Sequence, residues 1–310
     1  MKNSVLLFLT AAIWGVAFVA QSVGMEYMGP FTFNGIRFLL GGTVLLPVLA
    51  GKRKWGKADP GQQPKTKEEL KKARRVTLLG GICCGIALCS ASLLQQMGIQ
   101  HTTVAKAGFI TALYIIIVPV LGLFFHKKVR RIVWAGVFLA VAGMYLLCIK
   151  ESFSVDKGDF FVFLCAIVFS VHILVIDYFS PKADGVVLSC IQFYISGILC
   201  GIGAFLLETP TWQAILSGWM PILYAGILSC GVAYTLQIIG QKGMDPTVAS
   251  LILSLESVIS LIAGWVLLGQ TLEPREICGC VLVFAAIILV QLPEPKPGQR
   301  PGSKPVWIKK

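Results

Sequence analysis

Three charged residues, Glu256, Arg37 and Lys106, sit inside long apolar stretches of this 310-residue chain, and each needs a chemical reason to be there. A charge near the centre of a bilayer costs roughly 2.5–3.5 kcal/mol on insertion scales, which makes such a residue a functional candidate by default. Glu256 lies ~14 Å into its stretch at 1.5 Å per helical residue, close to mid-depth. There it either takes up a proton or meets a cationic group, or it is satisfied by hydroxyls and helix ends and holds helices together. On a helix it shares a stripe with Ala249, Ser260 and Ala263, and Ser250, Ser254 and Ser257 form the stripe beside it. Lys106 stands near the outer end of its stretch. It either snorkels to the interface or faces a cavity, where a carboxylate, a phosphate or Glu256 itself could pair with it. Arg37, ~10 Å from the outer end of its stretch, either ties backbone carbonyls together or meets a solute.

Neutral groups extend the candidate set. Tyr114 shares a helix side with Ala107 and Thr111, Tyr234 and Gln237 lie one turn apart, and Gln95 is the counterpart of Gln237 at the other end. His172, Gln192 and Trp14 complete the candidates for substrate binding or coupling. For any one of them, helix–helix hydrogen bonding or aromatic packing is the simpler alternative.

The elements that position these residues follow from hydropathy. The chain is 56% hydrophobic and 14% charged, with mean hydropathy +0.78, outside the range of soluble domains and of disordered chains. Ten apolar runs of membrane-crossing length are expected at about 4–23, 30–50, 76–98, 103–124, 131–149, 158–178, 186–207, 217–240, 247–268 and 275–292. Backbone groups in lipid must bond internally, so the fold class is an all-α integral membrane protein. The first run continues through Trp14, Gln21 and Ser22 without a clear cleavage site and reads as a span, not a signal peptide. With the N-terminus inside, 22 Lys and Arg fall in inside segments and three in outside ones, a positive-inside pattern that puts both termini in the cytoplasm. The same distribution explains the +12 net charge without nucleic acid: the basic loop 51–75 is a topology determinant. Spans five and ten carry little polarity and are expected at the lipid-facing periphery, with the other eight around a cavity.

The halves resemble each other. Ala91–Gly98 matches Ala233–Gly240 at four of eight positions, Thr103-Val-Ala105 matches Thr247-Val-Ala249, and Val129–Gly136 parallels Leu272–Gly279. With five spans per copy the second is inverted, an arrangement typical of secondary transporters. This divides the chain into 1–150, 151–292 and a Pro-, Gly- and Lys-rich tail, 293–310, expected to be disordered.

Trp14-Gly15, Arg37-Phe38, Leu113–Pro119 and the segment from Leu255-Glu256 to Leu268-Gly269 resemble the EamA-type branch of the drug/metabolite transporter superfamily. The resemblance runs over about residues 4–292. It implies export of small metabolites, a substrate range that is diverse across the family. Family members usually carry Glu where Gln270 stands, so no role is carried over to that position.

Other chemistry is poorly represented. There is no Walker A, His-Glu-x-x-His or Gly-x-Ser-x-Gly sequence. Ten cysteines lie in or at spans without Cys-x-x-Cys spacing and read as packing residues, with no cofactor or metal implied. The expectation is a secondary transporter of the inner or cell membrane, with a midplane cavity exposed alternately to each side. Its solute is amphoteric or anionic, amino acids or related metabolites among them, its surroundings are the bilayer, and a homodimer is compatible with the sequence. The rivals are a non-transporting membrane scaffold and a membrane-embedded enzyme.

Overall fold

Apolar runs bounded by Pro, Asp, Thr and Gly fold as helices throughout the computed structural model, which describes residues 2–55, 66–124, 131–148, 157–269 and 274–291. In chain order these are α1 (Lys2–Gly24), α2 (Pro30–Trp55), α3 (Lys67–Ile99), α4 (Val104–Thr111), α5 (Tyr114–Phe124), α6 (Arg131–Cys148) and α7 (Lys157–Phe179). They continue with α8 (Gly185–Leu207), α9 (Trp212–Ser217), α10 (Trp219–Leu223), a π-helical segment Tyr224–Tyr234, α11 (Thr235–Gln241), α12 (Pro246–Leu253), α13 (Leu255–Leu268) and α14 (Pro274–Gln291). No strand occurs among the described residues.

Among the described residues, eight helical segments are long and apolar enough to cross a membrane, so the protein is a multi-pass membrane protein. At the fifth and tenth expected places the apolar runs are shorter, Arg131–Gly143 and Ile277–Val290. The tail 293–310, Gln270, Val129 and Leu272 lie outside the described residues, as does 56–65 of the basic loop.

One boundary differs substantially from expectation. Helix α3 begins at Lys67, not near 76, because Thr66 and Glu69 form a capping box: the Glu69 amide donates to Thr66 Oγ1 (3.2 Å) and the Thr66 amide to Glu69 Oε2 (2.9 Å). No Gly or Pro interrupts residues 67–79, so the basic half of the expected loop continues the helix.

Two of the expected spans are interrupted. Helix α4 ends at Thr111 and α5 resumes at Tyr114; α12 ends at Leu253 and α13 resumes at Leu255. Pro119 in α5 lacks the amide that would bond to a carbonyl one turn earlier. In the second case Ser250, Ser254, Ser257 and Ser260 each turn a hydroxyl onto the carbonyl three residues back, at 2.7–2.9 Å. Such back-bonding competes with the regular helix ladder and bends it.

Small residues set the helix contacts. Helix α3 runs against α8 and α7, α2 against α8, α1 against α13, and α6 against α14. A Cβ on Gly85 would stand 2.7 Å from Ile195 Cβ and 3.0 Å from the Gln192 carbonyl, and one on Gly15 would stand 2.9 Å from the Glu256 carbonyl. Gly81, Gly85 and Gly197 likewise allow neighbouring side chains to approach closely, whereas Gly201 has open space where its Cβ would be. The two ends of the bundle are fixed by contacts of α1: Asn3 donates to the Lys242 carbonyl (3.0 Å) at one end, and Gln96 donates to the Gln21 carbonyl (3.0 Å) toward the other.

Candidate functional site

Where the helix interruptions meet, the bundle encloses a polar cavity. Helix α1 contributes Trp14, Phe18 and Gln21, α2 contributes Arg37, and α3 contributes Gln95. The broken spans supply Thr111 and Tyr114, then Leu253 and Glu256; α7 supplies Phe169 and Ile173. Ser229 and Tyr234 of the π-helical segment and Gln237 of α11 close the wall. The enclosed space is about 30 Å³ counted at the centres of water molecules, room for roughly two waters.

Glu256 sits in the first turn of α13 and is 4% exposed. Its Oε1 accepts a 2.8 Å hydrogen bond from Tyr114 Oη, and Tyr114 is the first residue of α5. The carboxylate also lies at the positive end of its half-helix, where a helix dipole favours negative charge. Across the cavity, Trp14 and Tyr234 pack with ring centroids 4.5 Å apart, and Trp14 Nε1 donates to the Ser229 carbonyl at 3.4 Å. Gln95 Nε2 donates to Thr111 Oγ1 at 3.2 Å.

Arg37 is 1% exposed, its guanidinium 4.9 Å from the Phe38 ring centroid and 5.6 Å from that of Phe33. Its Nε and Nη2 have no hydrogen-bond partner among the described residues, and neither have Gln21 Oε1 and Gln237 Oε1. The carbonyl-tying role weighed for Arg37 is therefore not seen for these two nitrogens.

Seven of the ten candidates thus meet at one cavity: Glu256, Arg37, Tyr114, Tyr234, Gln237, Gln95 and Trp14. Three stand elsewhere. Lys106 pairs with Asp159, not with Glu256: its Nζ is 2.6 Å from Asp159 Oδ2, and Thr102 donates to Asp159 Oδ1 at 2.7 Å. Asp159, which is not among the sequence candidates, stands in the first turn of α7. The structure leaves it 5% exposed, and a buried carboxylate needs a partner. His172 and Gln192 form a layer behind the wall, with Nε2 of His172 3.2 Å from Gln192 Oε1 and its ring edge-on to Tyr234 at 6.2 Å.

Helix α8, expected to line the cavity, contributes no lining residue among those described. Its small face is spent on α2 and α3, as at Gly197 against Leu39 and Ser196 on the Gly85 carbonyl. Helices α6 and α14 likewise contribute none and turn Phe138, Val281 and Ile288 outward. The serine stripe beside Glu256 does not line the cavity either; its hydroxyls stay on their own helix backbone.

Seven lining residues, Phe18, Gln21, Thr111, Phe169, Ile173, Ser229 and Leu253, are not among the sequence candidates, although a signal existed for two. Trp14, Phe18 and Gln21 fall at i, i+4 and i+7, one face of a helix. Phe169 and Ile173 are also one turn apart, but in an apolar run that spacing is everywhere.

Comparison with known proteins gives the same picture at the level of the whole chain. Residues 1–149 and 156–292 match the EamA-like transporter family. An "Uncharacterized transporter" of Archaeoglobus fulgidus is 29% identical over 288 residues, covering 92% of this chain and 84% of that protein. The "Uncharacterized inner membrane transporter YedA" of Escherichia coli strain K12 is 22% identical, over 92% of this chain and 89% of its own. The "WAT1-related protein At3g02690, chloroplastic" of Arabidopsis thaliana is 23% identical, over 91% and 67%. A solved crystal structure superposes with a TM-score of 0.73 at 18% identity, covering 93% of this chain and 96% of that one, a likeness of fold. Matched over nearly its full length, the chain belongs to the EamA-like transporter family of the drug/metabolite transporter superfamily and is a membrane transporter, not an enzyme.

Proposed function

We propose that the protein is a secondary exporter of small metabolites that works by alternating access around the cavity beneath Glu256 and Tyr114. The observation that carries this reading is the convergence of polar groups from six spans on one cavity, with an acid at its wall in the first turn of a resumed helix. Broken spans beside a central site suit such a cycle, because half-helices can tilt without unmaking the bundle. On this reading a cavity with room for roughly two waters must widen to load a metabolite.

The architecture assumed is ten spans in two inverted sets of five, 1–150 and 151–292, in the cell's inner membrane with both termini cytoplasmic. Supporting it are the two separate family matches and the equal eight-residue length of α4 and α12. The cavity charges suit an amphoteric or anionic solute, amino acids among them. Glu256 is the coupling residue, alternately protonated and occupied.

The test has two stages. A metabolite efflux screen in cells with and without the protein identifies the solute. Parent and Glu256→Gln protein are then compared in liposomes loaded with that solute. Transport is expected to follow an imposed pH gradient in the parent and to ignore it in Glu256→Gln. Equal parent rates with and without the gradient would remove the coupling, and an empty screen would remove transport.

A further inference from the structure

Removing Lys106 from the cavity leaves a simpler charge balance than the sequence suggests. One cation, Arg37, and one acid, Glu256, stand on the lining, and Lys106 is accounted for by Asp159. Arg37 and Glu256 form no ion pair within 4 Å among the described residues, although both are buried.

The state of the guanidinium is informative. Phe33 and Phe38 occupy its surroundings and favour its charge, but aromatic contact consumes no N–H donor. The two unpartnered nitrogens are Nε and Nη2, which form one edge of the guanidinium. Their N–H bonds run parallel at the spacing of two carboxylate oxygens, the side-on bidentate arrangement. A phosphate can use that edge too, but a cavity that also carries a carboxylate repels a multiply charged anion.

The opposite chemistry is also available. Glu256 accepts from Tyr114 at one oxygen, and the amide oxygens of Gln21 and Gln237 are without donors among the described residues. An ammonium group offers three donors and one positive charge. A purely anionic solute would satisfy Arg37 and face Glu256 as a like charge, whereas a purely cationic one would leave Arg37 buried and unpaired.

We propose that Arg37 takes the carboxylate of the solute edge-on through Nε and Nη2, while Glu256 with the glutamine amides takes an amino group, so that the cavity selects zwitterions. This rests on the transport reading above and narrows it from amphoteric or anionic solutes to those carrying both charges. It also supplies a reason for coupling. A proton and the solute's ammonium compete for the Glu256 carboxylate, so each displaces the other and the two exchange.

The test is thermal stabilisation of the purified full-length protein. The probe is an equimolar mixture of the twenty proteinogenic amino acids with β-alanine and γ-aminobutyrate, which spans several separations of the two charges. Two matched mixtures remove one charge each: the methyl esters lack the carboxylate, and the N-acetyl forms lack the ammonium. A ligand that binds only the folded state raises its melting temperature. The zwitterions are expected to raise the melting temperature by about 2 °C or more at concentrations well above their dissociation constants, and both blocked mixtures to give no rise. Arg37→Lys keeps the charge but loses the paired edge, and is expected to weaken the response at least about tenfold in concentration. Because the blocked mixtures act on the unaltered protein, misfolding of a variant does not shield the proposal. No response to the zwitterions, or an equal response to either blocked mixture, overturns it. Protein-dependent flux of a solute without a carboxylate overturns it too but leaves transport standing; zwitterion binding with no flux of any solute overturns transport and leaves the binding site.

Discussion

Tyr114 and Glu256, 142 residues apart in sequence, meet at 2.8 Å where two interrupted helices resume. Each is within the first two residues of its half-helix, so the hydrogen bond joins the two resumed pieces of backbone to each other.

That contact gives the first prediction. Tyr114→Phe keeps the ring and deletes the donor to a buried carboxylate, a hydrogen bond of a kind worth about 1.5–3 kcal/mol. If one state of the cycle makes it and the other does not, the flux of the solute returned by the efflux screen should fall at least about tenfold. Unchanged flux in liposomes would show that the bond is silent in transport.

The ion pair at the far end of the bundle predicts a different outcome. Asp159 is 5% exposed and shares its carboxylate between Lys106 and Thr102. Lys106→Met should lower stability by about 1–3 kcal/mol, since it strands a buried charge whose partner is partly solvated. Asp159→Asn should cost less, and the double variant less than the two together, with a coupling of about 0.5–3 kcal/mol. Thermal melts of all four proteins measure this, and solute selectivity should stay as in the parent. A change in selectivity would return Lys106 to the binding site.

Packing makes a paired prediction with a built-in control. Gly85→Ala puts a methyl group 2.7 Å from Ile195 Cβ and 3.0 Å from a carbonyl, whereas the same change at Gly201 meets nothing within 4 Å. The first should destabilise by about 1–3 kcal/mol through overpacking. The second should be neutral or stabilising by up to about 1 kcal/mol from helix propensity. Similar melting temperatures for the two would mean that α3 and α8 are not in tight contact.

Orientation is open to a simple check. The 22-to-3 distribution of Lys and Arg predicts both termini in the cytoplasm. A reporter fused to either end should be active only for a cytoplasmic location; an external signal from either end sinks the ten-span arrangement.

Much of this was legible in the sequence. Span positions are set by apolar length, and α1, α7, α8 and α14 fall within a residue or two of expectation. Glu256 and Tyr114 were recognisable because polarity is costly in lipid wherever it occurs. The interruptions at Ala112-Leu113 and Ser254 were not legible, since hydropathy reports side-chain transfer and not which carbonyl an amide reaches. The serine spacing and Pro119 were the available hints. Pairing was legible only in part: Lys106 with Asp159 and His172 with Gln192 are tertiary facts. Burial of Asp159 depends on the neighbouring helix, which no local window contains.

The placement of the helix breaks has a mechanical consequence. Helix α12 is an eight-residue arm whose outer end lies near Lys242, α4 an eight-residue arm whose outer end carries Lys106, and these are opposite ends of the molecule. Each arm ends within three residues of the Tyr114–Glu256 contact. On the proposed transport reading, a ligand that pulls the carboxylate away from the phenol would work at the short side of two levers whose long sides point to opposite ends of the bundle. Displacement at the centre would then be magnified at those ends, and the contact that responds to occupancy would also be the fulcrum for whichever end opens.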